Sequence, residues 1–108
     1  MKILITLAVT AASLLAATQA SARMTDQDFI QANRCAALIA AAELQGGPQD
    51  TAAIETKIRA ERYQHPGFVE DMGNRARQTA QRESRHASDT LKARLIAERD
   101  GVCRALSQ

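Results

Sequence analysis

Few residues of this chain are of types that perform chemistry. The chain has two cysteines, Cys35 and Cys103, and two histidines, His65 and His86. Neither histidine is followed at three or four positions by another metal-ligating residue, apart from the single carboxylate of Asp89 after His86. The cysteines do not form a Cys-x-x-Cys pair, and the chain lacks Gly-rich phosphate loops, nucleophile-elbow motifs and zinc-protease motifs. The sequence therefore predicts neither a metal nor a cofactor.

Carboxylates are the remaining candidates for acid–base chemistry. Glu70 and Asp71 are adjacent, and on a helix neighbouring side chains point about 100° apart, so these two do not converge. Glu83 falls near the apolar side of a predicted helix, where a carboxylate either pairs with an arginine or, with a raised pKa, serves as a catalytic acid. We expect the pairing and predict that the protein is not an enzyme. A small hydrolase that uses Glu83 or Glu70 is the third interpretation.

Basic residues gather on one side of the same predicted helix. Helical projection places Arg75, Arg82, Arg85 and His86 together, opposite its small apolar residues. Of the 13 basic residues after position 22, 11 are arginines, whose planar guanidinium suits carboxylate or phosphate partners. Two interpretations are open: a docking face for an acidic protein groove or an anionic glycan, or a solvated helix face. The few aromatic residues argue against nucleic acid as the partner.

Two of the three aromatic residues beyond position 22 flank a predicted turn, His65–Pro66–Gly67. If Tyr63 and Phe68 are exposed, they can anchor an interface together with His65, because aromatic rings supply a large contact area. If they are buried, they plug the junction between two helices.

The first 22 residues resemble an export signal. Lys2 provides one positive charge, and residues 3–17 contain no charged residue. Ala20 and Ala22 fit the small-x-small pattern of a signal-peptidase site, so we predict cleavage after Ala22 and a periplasmic domain of residues 23–108. The apolar run is shorter than the roughly 20 residues that span a bilayer, so no stable anchor is expected after cleavage.

The exported chain has a thin core that needs a covalent link. Only 17 of its residues are Val, Ile, Leu, Met, Phe or Tyr, whereas 15 are Ala. In an oxidising compartment Cys35 and Cys103 are expected to form a disulfide. It would close a loop of 67 residues and stabilise the fold by roughly 4 kcal/mol in the chain-entropy model.

Two shorter helices are predicted first. Thr25 can cap a helix whose apolar residues recur at helical spacing until Gly46–Gly47–Pro48 ends it. Asp50 or Thr51 begins the second helix, which should turn Ile54, Ile58 and Tyr63 inward before the turn at residues 65–67.

The remaining chain predicts one long helix. Phe68, Met72, Ala76 and Ala80 lie four apart, and a similar stripe continues through Ala87, Leu91, Leu95, Val102 and Leu106. We therefore predict an all-α fold: a small helical bundle or hairpin in which one long C-terminal helix is packed by two shorter helices and closed by the disulfide. In the alternative, Ser88–Asp89 begins a separate helix, which makes four.

The layout is similar to two groups of small exported helical proteins that a disulfide holds together: periplasmic acid-stress chaperones, and inhibitors or immunity proteins that block cell-wall hydrolases. The similarity covers size, export, helix content and the cysteine pair. It implies an interaction protein that binds another envelope protein, most concretely an inhibitor of a peptidoglycan-cleaving hydrolase that acts by occlusion. A stress chaperone is the alternative, and the long apolar stripe also allows a homodimer.

Overall fold

A computed structural model describes residues 23–108; the predicted signal segment, 1–22, lies outside the described residues. These residues form helices and no strand, which confirms the all-α class. In chain order the elements are α1 (Asp26–Ala40), α2 (Ala52–Glu61), a 3-10 turn (Arg62–Gln64), α3 (Gly67–His86), α4 (Asp89–Glu98), a π-helical segment (Arg99–Cys103) and a last helical turn (Arg104–Ser107).

The first helix, α1, is the centre of the domain. Its start is capped as predicted, because the Thr25 hydroxyl accepts from the Asp28 N–H at 3.0 Å. It packs most extensively on α3, and also on α2 and the π-helical segment. Its inward side supplies seven of the 15 buried apolar residues in the core of residues 23–108: Phe29, Ala32, Cys35, Ala36, Ala37, Leu38 and Ile39. The alanine-rich sequence of α1 therefore serves to let other helices approach closely.

Helix α1 ends at Ala40, earlier than the glycines predicted. Leaving the helix there lets the chain turn back and bury Leu44, which is 1% exposed. The carbonyl of Ile39, which the helix leaves free, accepts from the Gln49 N–H at 2.7 Å. Gly46 and Gly47 have φ angles of 94° and 69° and so serve this turn rather than the helix end.

The side of α3 that faces α1 consists of small residues. Val69, Gly73, Ala80 and Ser84 are buried, whereas Phe68 and Met72 are 65% and 46% exposed. The predicted stripe through Phe68 and Met72 was therefore wrong for the first turns of α3. The cause is that α3 presents its smallest residues to α1, and the bulkiest ones remain outside.

The C-terminal half is broken rather than continuous, as the four-helix alternative predicted. Ala87 and Ser88 are extended, with ψ of 135° and 168°, and the Ser88 hydroxyl accepts from the Leu91 N–H at 3.2 Å. This turn folds α4 back so that Leu95 reaches the core. A straight helix would carry Leu95 and Cys103 away from α1.

The predicted disulfide is confirmed. Cys35 and Cys103 are bonded, with 5.2 Å between their Cα atoms, and both are fully buried. The π-helical segment that contains Cys103 also contains Arg99, whose Nη1 donates to the Gln45 carbonyl at 2.9 Å. This bond ties the turn after α1 to the C-terminal segment. Within residues 23–108, none of the helices combines the length and apolar character that a membrane span requires.

Candidate partner-binding surface

The outward side of α3 carries the basic residues singled out in the sequence. Phe68, Met72, Arg75, Thr79, Arg82 and His86 follow one another at intervals of four and three residues, and such spacing aligns side chains along one side of a helix. Arg75, Arg82 and His86 are exposed. Arg85 is exposed as well, but it lies about 100° around the helix from His86 and lines a groove over the alanines of α1. The row extends about 27 Å at 1.5 Å per residue. It is apolar at its first end and basic at its second.

Tyr63 extends the apolar end of this row. It lies in the 3-10 turn just before α3 and is 87% exposed. The expectation that it turns inward with Ile54 and Ile58 was wrong, although both isoleucines are buried. The interpretation that Tyr63 and Phe68 plug the helix junction is likewise wrong. We name the seven exposed residues the α3 surface: Tyr63, Phe68, Met72, Arg75, Arg82, Arg85 and His86.

His65 fills the junction instead. Its side chain is 5% exposed, and its ring stacks on Phe29 with 4.7 Å between centroids. Nδ1 lies 2.7 Å from Oδ1 of Asp26, and Nε2 lies 2.9 Å from Oε1 of Glu61. The bond to Asp26 raises the pKa of His65, burial opposes this, and Glu61 raises the pKa further. With its ring buried against Phe29, His65 does not belong to the exposed surface that Tyr63 and Phe68 form.

Of the two carboxylates that contact His65, only Glu61 could be predicted from the sequence. Glu61 is four residues before His65, which is a helical spacing that the sequence analysis overlooked. Asp26 is 39 residues away, so only the packing of α1 against the turn brings it to the ring.

Glu83 has the arginine partner that the sequence predicted for it. Its Oε1 lies 2.8 Å from Nη2 of Arg34 on α1. Arg34 also donates two hydrogen bonds to the carboxylate of Glu98 on α4, at 2.7 and 3.1 Å, in a bidentate contact. Burial raises the pKa of Glu98, but the bonds from Arg34 and Gln31 outweigh it, so the pKa is lowered. One arginine thus joins three helices.

A groove open to solvent runs between α2 and α3 over the alanines of α1. An ion pair crosses it, because Arg77 of α3 contacts both carboxylate oxygens of Glu55 of α2 at 2.8 and 3.1 Å. The compartments on its two sides measure about 400 and 570 Å³. Glu70, the other carboxylate considered for acid chemistry, lines the larger one. Arg77 also donates to the buried Asn33 at 3.0 Å.

Comparisons with known proteins give no family for this chain: no family model matches it, and neither the curated proteins nor the solved structures include a significant match. In residues 23–108, His, Cys, Asp and Glu side chains do not gather in threes that could hold a metal ion. The α3 surface is therefore the feature of this chain that bears on its function.

Proposed function

We propose that this protein is a non-enzymatic, periplasmic interaction protein that binds another envelope protein through the α3 surface. The exposure of Tyr63, Phe68 and Met72 beside a row of arginines is the observation that carries the proposal. Exposure of a large apolar side chain to water is unfavourable in free energy, and this domain contains few such side chains. Tyr, Phe, Met and Arg are the residue types enriched where proteins bind one another.

The charge of this surface selects an acidic partner. Arg75, Arg82 and Arg85 form no ion pair with the carboxylates of residues 23–108, so their guanidinium groups can pair with carboxylates of another molecule. Enzymes that cleave glycosidic bonds commonly hold two carboxylates in a sugar-binding cleft. A peptidoglycan-cleaving hydrolase is therefore the most concrete partner, and occlusion of its cleft is the proposed mechanism.

The surface is held on a rigid support. The opposite side of α3 packs on α1, the Arg34 contacts join both helices to α4, and the disulfide closes the chain. A surface that is already ordered loses less conformational entropy on binding. This is the property that an inhibitor acting by occlusion needs.

The test is inhibition of wall lysis. The purified protein, with its disulfide formed, is titrated into a periplasmic extract that digests purified peptidoglycan. We expect lysis to fall as the protein is added, and the triple variant Arg75→Glu, Arg82→Glu, Arg85→Glu to lose at least ~100-fold in potency, because each like-charge contact at an interface opposes binding.

A matched control separates local contacts from net charge. The triple variant Arg23→Glu, Arg94→Glu, Arg104→Glu changes three exposed arginines outside α3 and alters the net charge equally. It should keep the potency of the natural protein. Equal loss in both variants, or no inhibition at any protein concentration, would contradict the proposal.

An acid-stress chaperone is the second candidate, and the ion pairs favour it. Bonding to Arg77 lowers the pKa of Glu55, and the pKa of Glu98 is lowered as well. Protonation of these carboxylates in strong acid would release α2 and α4 from their partners and expose the alanine side of α1. Binding of an apolar dye at pH 3, with suppression of client aggregation, would favour the chaperone; a folded, dye-free protein at pH 3 would exclude it.

A further inference from the structure

The two ring nitrogens of His65 both face carboxylates. A neutral imidazole has one donor and one acceptor nitrogen, so it can satisfy only one of two such contacts. An imidazolium donates from both, and both distances, 2.7 Å to Asp26 and 2.9 Å to Glu61, are those of charge-assisted hydrogen bonds. Stacking on Phe29 adds an aromatic face against the cation. The geometry therefore fits the protonated ring.

We propose that protonated His65 is a pH-dependent clamp that fastens the turn before α3 to the first turn of α1 and the end of α2. Asp26 comes from α1, Glu61 comes from α2, and His65 itself lies in the turn that leads into α3. Within the described chain these two carboxylates are the charged groups bonded to the ring. Loss of the ring proton leaves a nitrogen lone pair facing a carboxylate, and one of the two fastenings opens.

The clamp lies in the chain segment that carries the apolar end of the α3 surface. Tyr63 precedes His65 by two residues and Phe68 follows it by three, and both are exposed while the histidine side chain is buried. The position of these two rings therefore depends on the segment that the clamp fixes. A role for the clamp in regulating partner binding rests on the proposed function, whereas the existence of the clamp in the fold does not.

The direction of the pH effect follows from the charges. The pKa of His65 is raised above its ordinary value of 6.5, so the stabilisation is complete below pH 6.5 and is lost as the pH rises through the higher folded-state pKa. The clamp is therefore closed in mild acid and opens in alkali.

The first test follows the proton on the ring directly. NMR titration in a His86→Gln background leaves one histidine signal, because the chain has two histidines. We expect the pKa of His65 to lie above 6.5 and to fall in both Asp26→Asn and Glu61→Gln, with the larger fall in Asp26→Asn. A pKa at or below 6.5, or one that neither variant lowers, would overturn the proposal.

The second test asks whether the clamp holds the turn. Tyr63 is the single tyrosine and there is no tryptophan, so the fluorescence anisotropy of tyrosine reports this segment alone. We expect anisotropy to fall between pH 6 and pH 9 in the natural protein. In His65→Gln it should be lower at pH 6 and should not change with pH. An unchanged anisotropy in a natural protein whose His65 has titrated would overturn the clamp.

If His65→Gln does not fold, Asp26→Asn takes its place, because it keeps the ring against Phe29 and removes the negative charge that favours the protonated ring. Both readouts need no partner, so they separate the two proposals. If His65 titrates as expected but the protein inhibits no wall hydrolase, the clamp is supported and the proposed function is contradicted. If the protein inhibits a wall hydrolase but His65 does not titrate as expected, only the clamp is contradicted.

Discussion

Gly73 lies at a close approach between α1 and α3. A Cβ atom at this position would lie 2.7 Å from Nδ2 and 3.1 Å from Cγ of Asn33. Asn33 cannot easily give way, because it is buried, donates to the Phe29 carbonyl at 3.1 Å and accepts from Arg77. Glycine is therefore required here for space rather than for backbone freedom.

We predict that Gly73→Ala destabilises the protein. Overpacking typically costs about 1–3 kcal/mol and should exceed the ~1 kcal/mol by which alanine improves a helix over glycine. Urea unfolding measures the difference. Gly101→Ala is the control, because a Cβ there meets no atom within 4 Å and should leave stability unchanged or slightly higher. A Gly73→Ala protein as stable as the natural one would show that the helices are not in such close contact.

Arg34 is the cation shared by two carboxylates, Glu83 and Glu98. Arg34→Met leaves Glu83 and Glu98, both less than half exposed, without their common cation. We expect a loss of about 1–3 kcal/mol, between the values for exposed and buried ion pairs. Thermal unfolding at neutral pH measures the loss, and Arg94→Met, on an exposed position of α4, should change stability by less than about 0.5 kcal/mol. Equal effects of the two substitutions would contradict the assignment.

At the scale of elements, the break between α3 and α4 is set by local capping and distant packing together. Ser88→Ala removes the side chain that accepts from the Leu91 N–H. We predict a loss of about 1 kcal/mol in urea unfolding, with helix content by circular dichroism unchanged, because the disulfide and Leu95 keep α4 folded back. A gain in helix content would mean instead that the cap alone prevents a continuous helix.

The disulfide joins α1, the first element of the domain, to the π-helical segment near the end of the chain. The double variant Cys35→Ser, Cys103→Ser should lose roughly 4 kcal/mol, a large share of the stability of so small a core. Circular dichroism melts with and without reductant measure this: the natural protein should melt at a much lower temperature when reduced, and the double variant should not respond to reductant. A reduced natural protein that melts at the oxidised temperature would contradict the prediction.

The elements also show which information the sequence contains. The cap at Thr25 and the buried side of α2 follow from local spacing, and both were predicted. The disulfide was predicted because the exported chain has a single pair of cysteines. The early end of α1 depends on the burial of Leu44 in the core. Which side of α3 faces α1 depends on the packing of Gly73 against Asn33. Those contacts join residues distant in the sequence, so periodicity alone placed Phe68 and Met72 on the wrong side.

The same limit applies to the candidate site. The exposed arginines could be grouped from spacing because they share one helix. The Arg34 contacts and the Asp26–His65 pair could not, since their partners lie 39 or more residues apart.

The stability of the whole molecule depends on pH through two sets of groups. One set loses its stabilising effect as the pH falls, and the other loses it as the pH rises. The carboxylates of Glu55 and Glu98 have lowered pKa values, so their stabilisation is present above about pH 4.5 and is lost as the pH falls. His65 has a raised pKa, so its stabilisation is present below pH 6.5 and is lost as the pH rises.

We therefore predict that stability is greatest at about pH 5–6 and falls on both sides. Thermal melts from pH 3 to pH 9 measure this curve. In His65→Gln the difference from the natural protein should be largest near pH 6 and smaller at pH 9, whereas His86→Gln, at an exposed position, should follow the natural curve. A His65→Gln deficit that is the same at both pH values would contradict the prediction.

Photo-crosslinking in living cells tests whether the α3 surface binds an acidic envelope enzyme. A photoreactive phenylalanine analogue replaces Phe68, and in a control it replaces the exposed Ala93 of α4. We predict one discrete product from position 68, identified by mass spectrometry as a peptidoglycan hydrolase, and its loss when Arg75, Arg82 and Arg85 are changed to Glu. No product from position 68, or the same product from position 93, would contradict the claim.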